Sequence, residues 1–266
     1  MGPINCFLID YYFLKHLFFN AQFSIFNYFW DCNITYLPNN FQTFKQNFMA
    51  PLVLGNKEYP IIRNIIFDLG GVIMNIDYNL TLEAFKKIGF VDFNKMYSFL
   101  NQSKLFDGYD KGLVSPEEFR QGLRDVAQLN VCDDEINLAW NAMLIDIPED
   151  RIHLLENLKN HFRTYLLSNT NEIHLDYFFN YVNRTFKIED FSSLFHKAYY
   201  SCRVQMRKPD AEIFLKVINE NNLKPSETLF IDDYLLNIES AEKLGIQCYY
   251  LQKEEFLTSL FAYYLK

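Results

Sequence analysis

Past residue 60, short apolar runs alternate with longer stretches in which apolar residues recur at helical spacing. The first run, Ile65-Ile66-Phe67, ends at Asp68 and is followed by Leu69-Gly70-Gly71. An unbroken apolar run of this length predicts a buried strand at about 63–68, and the double glycine predicts a sharp turn. From residue 80 to 161 the spacing is helical with turn punctuation. Phe85, Ile88 and Phe90 begin an apolar face, and Gly108 and Gly112 mark a break. Ser115-Pro116-Glu117-Glu118 then opens a helix: serine suits the N-cap, proline the first position, and the glutamates the positive helix end. Further helices are predicted at about 134–144 and 149–160, the latter opened by Pro148.

The alternation of strand and helix then resumes. A strand at 164–167 ends at Ser168-Asn169-Thr170, another is expected at 197–201, and one at 228–231 ends at Asp232-Asp233. A last strand is expected at 247–251, with helices at about 211–221 and 238–244, the second closed by Gly245. Alternating elements of this kind predict an α/β fold: a doubly wound, parallel, Rossmann-like sheet. The expected core is 61–78 plus 162–252. The helical insertion, 79–161, is expected to form a cap over the carboxyl edge of the strands, and 253–266 a C-terminal helix or tail. Residues 1–60 are expected to be an aromatic-rich extension followed by a linker, marked at 50–60 by Pro51, Gly55 and Pro60.

Composition changes this picture mainly at the N-terminus. Fifteen of the first fifty residues are aromatic, against 32 in the remaining 216. Asp10, Lys15, His16 and Asn20 interrupt the apolar residues there, so no clean membrane span is present. Neither the basic start nor the small-residue cleavage site of a secretory signal is seen. Three readings of residues 1–49 stand: a mobile tail, a surface-seeking helix over about 7–30, or an artificial upstream extension. The third is favoured, because Met49 offers another start. The net charge is −8, from 25 basic and 33 acidic residues, with no basic run, which argues against a nucleic-acid partner. The five cysteines (Cys6, Cys32, Cys132, Cys202, Cys248) make no metal-ligand spacing and fit reduced thiols in the cytoplasm.

The candidate chemistry lies at the predicted strand ends: Asp68, Ser168, Lys208 in Arg207-Lys208-Pro209-Asp210, and Asp232-Asp233. Carboxylates hold a hard cation such as magnesium through oxygen. A hydroxyl and an ammonium can hold phosphate oxygens and neutralise charge during transfer. A carboxylate can also accept a phosphoryl group covalently and pass it to water. These are the parts of a phosphoryl-transfer site.

The ordered set, spaced by 100, 40 and 24 residues, resembles the haloacid dehalogenase superfamily of hydrolases, in its branch with a helical cap after the first motif. The resemblance covers about 62–252. It implies Asp68 as nucleophile and Lys208 as a catalytic and phosphate-binding residue. Ser168 and Asn169 would bind the phosphoryl oxygens. Magnesium would be held by Asp68, the Gly70 carbonyl, Asp232 and Asp233. The implied activity is magnesium-dependent hydrolysis of a small phosphorylated metabolite, a sugar phosphate, through an aspartyl-phosphate. The Asp-Leu-Gly-x-Val-Ile form resembles a bacterial subgroup that includes a sugar-1-phosphate phosphatase.

One expected residue is missing. Phosphatases of this family usually carry a second aspartate two residues after the nucleophile, as general acid, and here that position is Gly70. Either the leaving group needs little protonation, or another group such as Asp77 or a cap residue substitutes, or the protein binds without turnover. The subgroup resemblance favours the first two. A dehalogenase using Asp68 on carbon, and a non-catalytic phosphate sensor or scaffold, are the rival readings.

Plainer readings stand beside these. Ser168-Asn169-Thr170 and Asp232-Asp233 suit helix caps, and Asn237 is placed to orient the aspartate pair. His16, His153, His161 and His196 read as surface or packing residues, with His174 nearest the site. Trp140 reads as core and Asn141 as surface. Tyr109, Asp110 and Lys111 form a polar cap turn that could reach a substrate. Cys202 reads as an inert thiol, and Gly70-Gly71 does not complete a dinucleotide fingerprint.

Overall fold

Residues 50–60, expected as a linker, instead contribute a hairpin. In this computed structural model, which describes residues 51–59, 61–90 and 105–265, Leu52–Leu54 (β1) pairs antiparallel with Lys57–Tyr59 (β2). The physical reason is burial: Leu52, Leu54 and Tyr59 pack into the same apolar cluster as the main sheet. The three readings of residues 1–49, the residues Cys6, His16 and Cys32, and the part of the cap prediction at 91–104 lie outside the described residues. All described residues fall in one compact unit, 50–266. Among them no helix is long and apolar enough to cross a membrane.

The chain continues through Asn64–Phe67 (β3) and a short strand Asn75–Ile76 (β4). The cap helices follow: Tyr78–Lys87 (α1), Leu105–Asp110 (α2), Pro116–Ala127 (α3) and Asp133–Asn141 (α4). Ser115 caps α3 as its sequence predicts, in a full capping box with Glu118. Helix α4 stops at Asn141, short of the predicted 144. The Thr81 hydroxyl takes up its end, donating to the Trp140 carbonyl and accepting from the Met143 amide. The chain then forms Leu144–Asp146 (β5), which pairs antiparallel with β4 at the root of the insertion.

After β5 come Glu149–His161 (α5), Arg163–Ser168 (β6), Glu172–Phe186 (α6) and Lys197–Tyr200 (β7). Then follow Ser201–Val204 (α7), Ala211–Glu220 (α8), Thr228–Asp232 (β8), Leu235–Glu242 (α9), Gln247–Tyr250 (β9) and Leu257–Leu260 (α10). Helix α6 is implied by the cap reading of Ser168-Asn169-Thr170 but given no range there; its N-cap is Asn171, and the apolar spacing of Ile173, Phe178 and Val182 marks it. Helix α5, grouped with the cap on the sequence pattern, buries Ile152, Leu154, Leu155 and Leu158 in the sheet's own cluster.

The main sheet is parallel throughout, in the order β7-β6-β3-β8-β9. Its faces follow the two-residue side-chain period. Ile65, Phe67, Leu166, Leu229 and Ile231 point to one face, under α5, α6 and the C-terminal residues Leu257 and Phe261. Ile66, Tyr165, Leu167 and Phe230 point to the other, under Ile213, Phe214 and Val217 of α8 and Ile238 of α9. Each such side chain contributes about 1.5–3 kcal/mol on full burial. The cap has a third cluster, with Phe85, Phe106, Tyr109, Phe119 and Trp140, that takes in Ile173 from α6. The register sets the strand ends level: Phe67 lies opposite Leu166 on one side and Ile231 on the other.

Candidate active site

That register carries Asp68 to the side of Asp232 at the carboxyl edge of the central strands, where open α/β sheets bind ligands. The turn after Asp68 is tight: Ile73 and Met74 amides both donate to the Leu69 carbonyl. Gly71 has a φ of 74°, and a β-carbon there would collide with Asp233 Oδ2. Glycine at 71 therefore lets the turn approach the second aspartate.

Four side chains meet at this edge. The Lys208 ammonium, 1% exposed, lies 2.8 Å from Asp68 Oδ1 and 2.6 Å from Asp232 Oδ2, above the Phe230 ring. Asp68 Oδ1 also accepts the Leu69 amide at 2.7 Å. Asp232 is held from behind, by the Tyr234 amide at 2.8 Å and by Asn237 Nδ2, which donates to both carboxylate oxygens at 3.0 Å. Asn237 thus orients Asp232, as expected. Carboxylate oxygens of Asp68, Asp232 and Asp233 lie within 4.8 Å of one another.

The electrostatics of the cluster are unbalanced. Burial pushes the Asp68 carboxyl well above the usual range; Lys208 pulls it down, while Asp232 and Asp233 add to the rise. Burial and then the charge of Asp232 raise Asp233 to about 6. For Lys208, burial works against the ammonium, but Asp232 and Asp68 outweigh it and the pKa rises. Three buried or half-buried carboxylates thus face one bonded ammonium. A hard cation relieves that excess, and the all-oxygen donor set fits magnesium.

Ser168, also buried, ends β6. Among the described residues its hydroxyl has one bond, a long one of 3.5 Å to the Asn169 carbonyl. Asn169, expected as a phosphate donor, holds the Lys208 backbone: Nδ2 donates one bond to the Lys208 carbonyl at 2.8 Å and Oδ1 accepts the Lys208 amide at 2.9 Å. The loop around Lys208 has no sheet partner for those backbone groups, and the Asn169 amide supplies one. Gly70 is present at the turn, and a β-carbon there would meet Ile76 Cδ1 at 3.2 Å. Asp77 caps α1, its Oδ1 accepting Asn79 N at 2.9 Å.

The cap meets the core beside this cluster. Tyr109 stacks on Phe119, and its hydroxyl accepts the Ile173 amide at 3.1 Å. Asp110 pairs with Arg207 at 3.3 Å, and Lys111 pairs with Asp107 and Asp210. Burial raises Asp110 to about 6, against the pull of Arg207 and a hydrogen bond from Asn171. Trp140 is core, as expected, stacked on His174. Asn141, expected at the surface, is buried because its Oδ1 takes the His174 Nδ1 proton at 2.8 Å. Burial holds His174 neutral, with its pKa pushed down to about 3. His153, His161 and His196 are exposed. Cys202 is buried and its thiol pushed up to about 12, first by burial and then by Glu172, which makes it unreactive. Sequence reasoning assigned no role to Arg207 or Asn171. Their adjacency to Lys208 and to the Ser168 turn was the only available signal.

A doubly wound parallel sheet, capped by helices and carrying carboxylates and a lysine at its carboxyl edge, defines a capped α/β enzyme. The chain belongs to the haloacid dehalogenase-like hydrolase family, whose model matches residues 62–245. It is similar to the D-ribitol-5-phosphate phosphatase of Bacteroides thetaiotaomicron, with 30% identity over 191 residues, 71% of this chain and 91% of that protein. A haloacid-dehalogenase-family enzyme of the same organism, solved in complex with magnesium and inorganic phosphate, superposes with a TM-score of 0.67. It is 37% identical, over 75% of this chain and 99% of that one. A HAD-like family hydrolase from Porphyromonas gingivalis gives a TM-score of 0.68 at 33% identity, over 77% and 98%.

Proposed function

We propose that the protein is a magnesium-dependent phosphatase acting on a small phosphate monoester, a sugar or sugar-alcohol phosphate. The observation that carries this reading is the convergence of Asp68, Lys208, Asp232 and Asp233 with an excess of negative charge. The named activity of the ribitol phosphate phosphatase supports the substrate class.

Asp68 attacks phosphorus in line. The ester P–O bond breaks, the alcohol oxygen leaves, and an aspartyl-phosphate remains. Water then attacks that phosphorus, releasing phosphate and restoring the carboxylate. Lys208 stabilises the transferring oxygens, and the Ser168 hydroxyl, held only by its long bond to the Asn169 carbonyl, turns to donate to them. Magnesium, held by Asp68, Asp232, Asp233 and the Gly70 carbonyl, would neutralise charge on the phosphoryl group when bound. Asn169 acts through Lys208, whose backbone it holds.

The leaving oxygen lacks a proton donor at position 70, where the Ile76 side chain lies instead. General acid help is worth about 10²–10⁴ in rate, so the enzyme should favour esters with weakly basic leaving groups. Halide displacement is the poorer reading, because it needs no metal and leaves the oxygen set of Asp68, Asp232 and Asp233 without a use.

The test is phosphate release from sugar phosphates, sugar-alcohol phosphates and an aryl phosphate, with magnesium and with chelator, in the parent and in Asp68→Asn. The expected outcome is magnesium-dependent release that falls by on the order of 10³ or more in Asp68→Asn. Release unaffected by chelator or by Asp68→Asn would overturn the reading.

A further inference from the structure

The cap turn from Tyr109 to Gly112 is bound to the core on both flanks of Lys208. Arg207, the residue before Lys208, pairs with Asp110 at 3.3 Å and with Asp107 at 3.5 Å. Asp210, two residues after Lys208, pairs with Lys111 at 3.1 Å, and Lys111 reaches back to Asp107 at 3.2 Å. The turn cannot lift easily at its two ends. Tyr109 accepts the Ile173 amide, and Gly112, at a φ of 65°, lies so close to the Cys202 carbonyl that a β-carbon would collide with it.

Lys208 itself is held on the opposite side. Asn169 takes both its backbone amide and its carbonyl, and the ammonium is wedged between Asp68 and Asp232. The loop from 207 to 210 belongs to no strand, so its placement depends on side chains from elsewhere. Asn169 supplies one anchor from the core, the Ser240 hydroxyl supplies a second by donating to the Pro209 carbonyl, and the cap turn ties the residues on either side, Arg207 and Asp210.

We propose that the cap turn is a positioning element for Lys208: Asp110 through Arg207, and Lys111 through Asp210, fix the loop that aims the ammonium. On this view, which rests on the phosphatase reading, this edge of the cap is part of the catalytic scaffold and stays docked. Asp110 and Lys111 are positioning residues and need not touch the substrate. Misplacing a catalytic group by about 1 Å can cost about 10²-fold in rate.

The experiment uses the full chain with magnesium and compares Asp110→Asn, Arg207→Lys and the double variant with the parent. Asp110→Asn keeps shape but removes charge, and Arg207→Lys keeps charge but removes the planar fork. The expected result is a kcat lower by about 10–100-fold in each single variant with KM little changed. The double variant should be no worse than the poorer single, because both act through one link. Unchanged kcat with a lowered Tm, or fully additive losses, would reduce the pairs to plain structural ties and overturn the proposal. A second readout needs no turnover: a crystal structure of Arg207→Lys and calorimetric titration with inorganic phosphate. If Lys208 keeps its 2.8 and 2.6 Å contacts and phosphate affinity is unchanged, the proposal falls. A parent that binds phosphate without releasing it would instead sink the phosphatase reading, while the Lys208 geometry and phosphate affinity still decide the positioning claim.

Discussion

Two buried polar clusters lie near each other in this protein and are built on opposite plans. At the cap–core seam, Trp140 Nε1 and the His174 amide both donate to Asn171 Oδ1, and Asn141 takes the proton of a neutral His174. None of these four side chains carries a formal charge. At the strand ends, Asp68, Asp232 and Asp233 gather around Lys208, and two carboxyls are pushed above their ordinary range. The first cluster satisfies itself and holds two layers together. The second is left in excess negative charge, which only a ligand of opposite sign relieves. Imbalance of this kind, rather than burial or polarity alone, separates a binding site from a structural network.

The sharpest break of the comparison is Lys208→Met. It leaves two buried carboxylates without their ammonium, and removing one partner of a buried pair costs about 3–5 kcal/mol. The Tm in chelator should fall by about 10 °C, and magnesium should recover part of the loss. A thermal melt with and without magnesium checks both.

His174→Gln probes the neutral cluster. The folded pKa of about 3 lies below the ordinary 6.5, so the stability that burial of neutral His174 contributes is complete above about pH 6.5. It is lost as pH falls toward 3, an effect on the order of a few kcal/mol. Denaturant melts between pH 7 and 4 should show a shallower decline in the variant. Equal declines would mean that His174 does not titrate on unfolding.

Asp233→Asn acts in the opposite direction. The folded pKa of Asp233 is about 6 against an ordinary 3.8, so the carboxyl disfavours the folded state increasingly as pH rises through 4 to 6. The metal-free variant should therefore be more stable than the parent at pH 7, by on the order of 1 kcal/mol, and equal to it near pH 4. Stabilisation by magnesium should shrink in the same variant. A parent that outlasts the variant in chelator at pH 7 would contradict the unbalanced-charge account.

The smallest effect belongs to Asp77→Ala. Loss of the α1 cap should cost about 1 kcal/mol, while phosphate release stays near the parent level. A fall of about 10²-fold or more would instead make Asp77 the missing acid.

Much of this was legible in the chain. The apolar run closing on Asp68-Leu69-Gly70-Gly71, the alternation of strands and helices and the start of α3 at Ser115-Pro116 are local signals, because buried strands, tight turns and helix caps each demand particular residues at fixed offsets. The spacing of Asp68, Ser168, Lys208 and Asp232-Asp233 also declared the family, since each falls where a parallel strand or its loop ends. What the chain alone could not show depends on contacts between distant segments. The hairpin at 52–59 exists because Leu54 and Tyr59 find the sheet's core, and α5 joins the sheet because of the cluster that receives Leu154 and Leu155. Asn169 reads as a phosphate donor in the chain, and only the fold shows that its amide also holds the Lys208 backbone. The tie of Asp110 to Arg207 spans 97 residues, and no periodicity records it. Sequence determined which groups stand at the ends of which elements. Only the tertiary structure decided which of them meet, because burial and charge are properties of the neighbours that folding brings together.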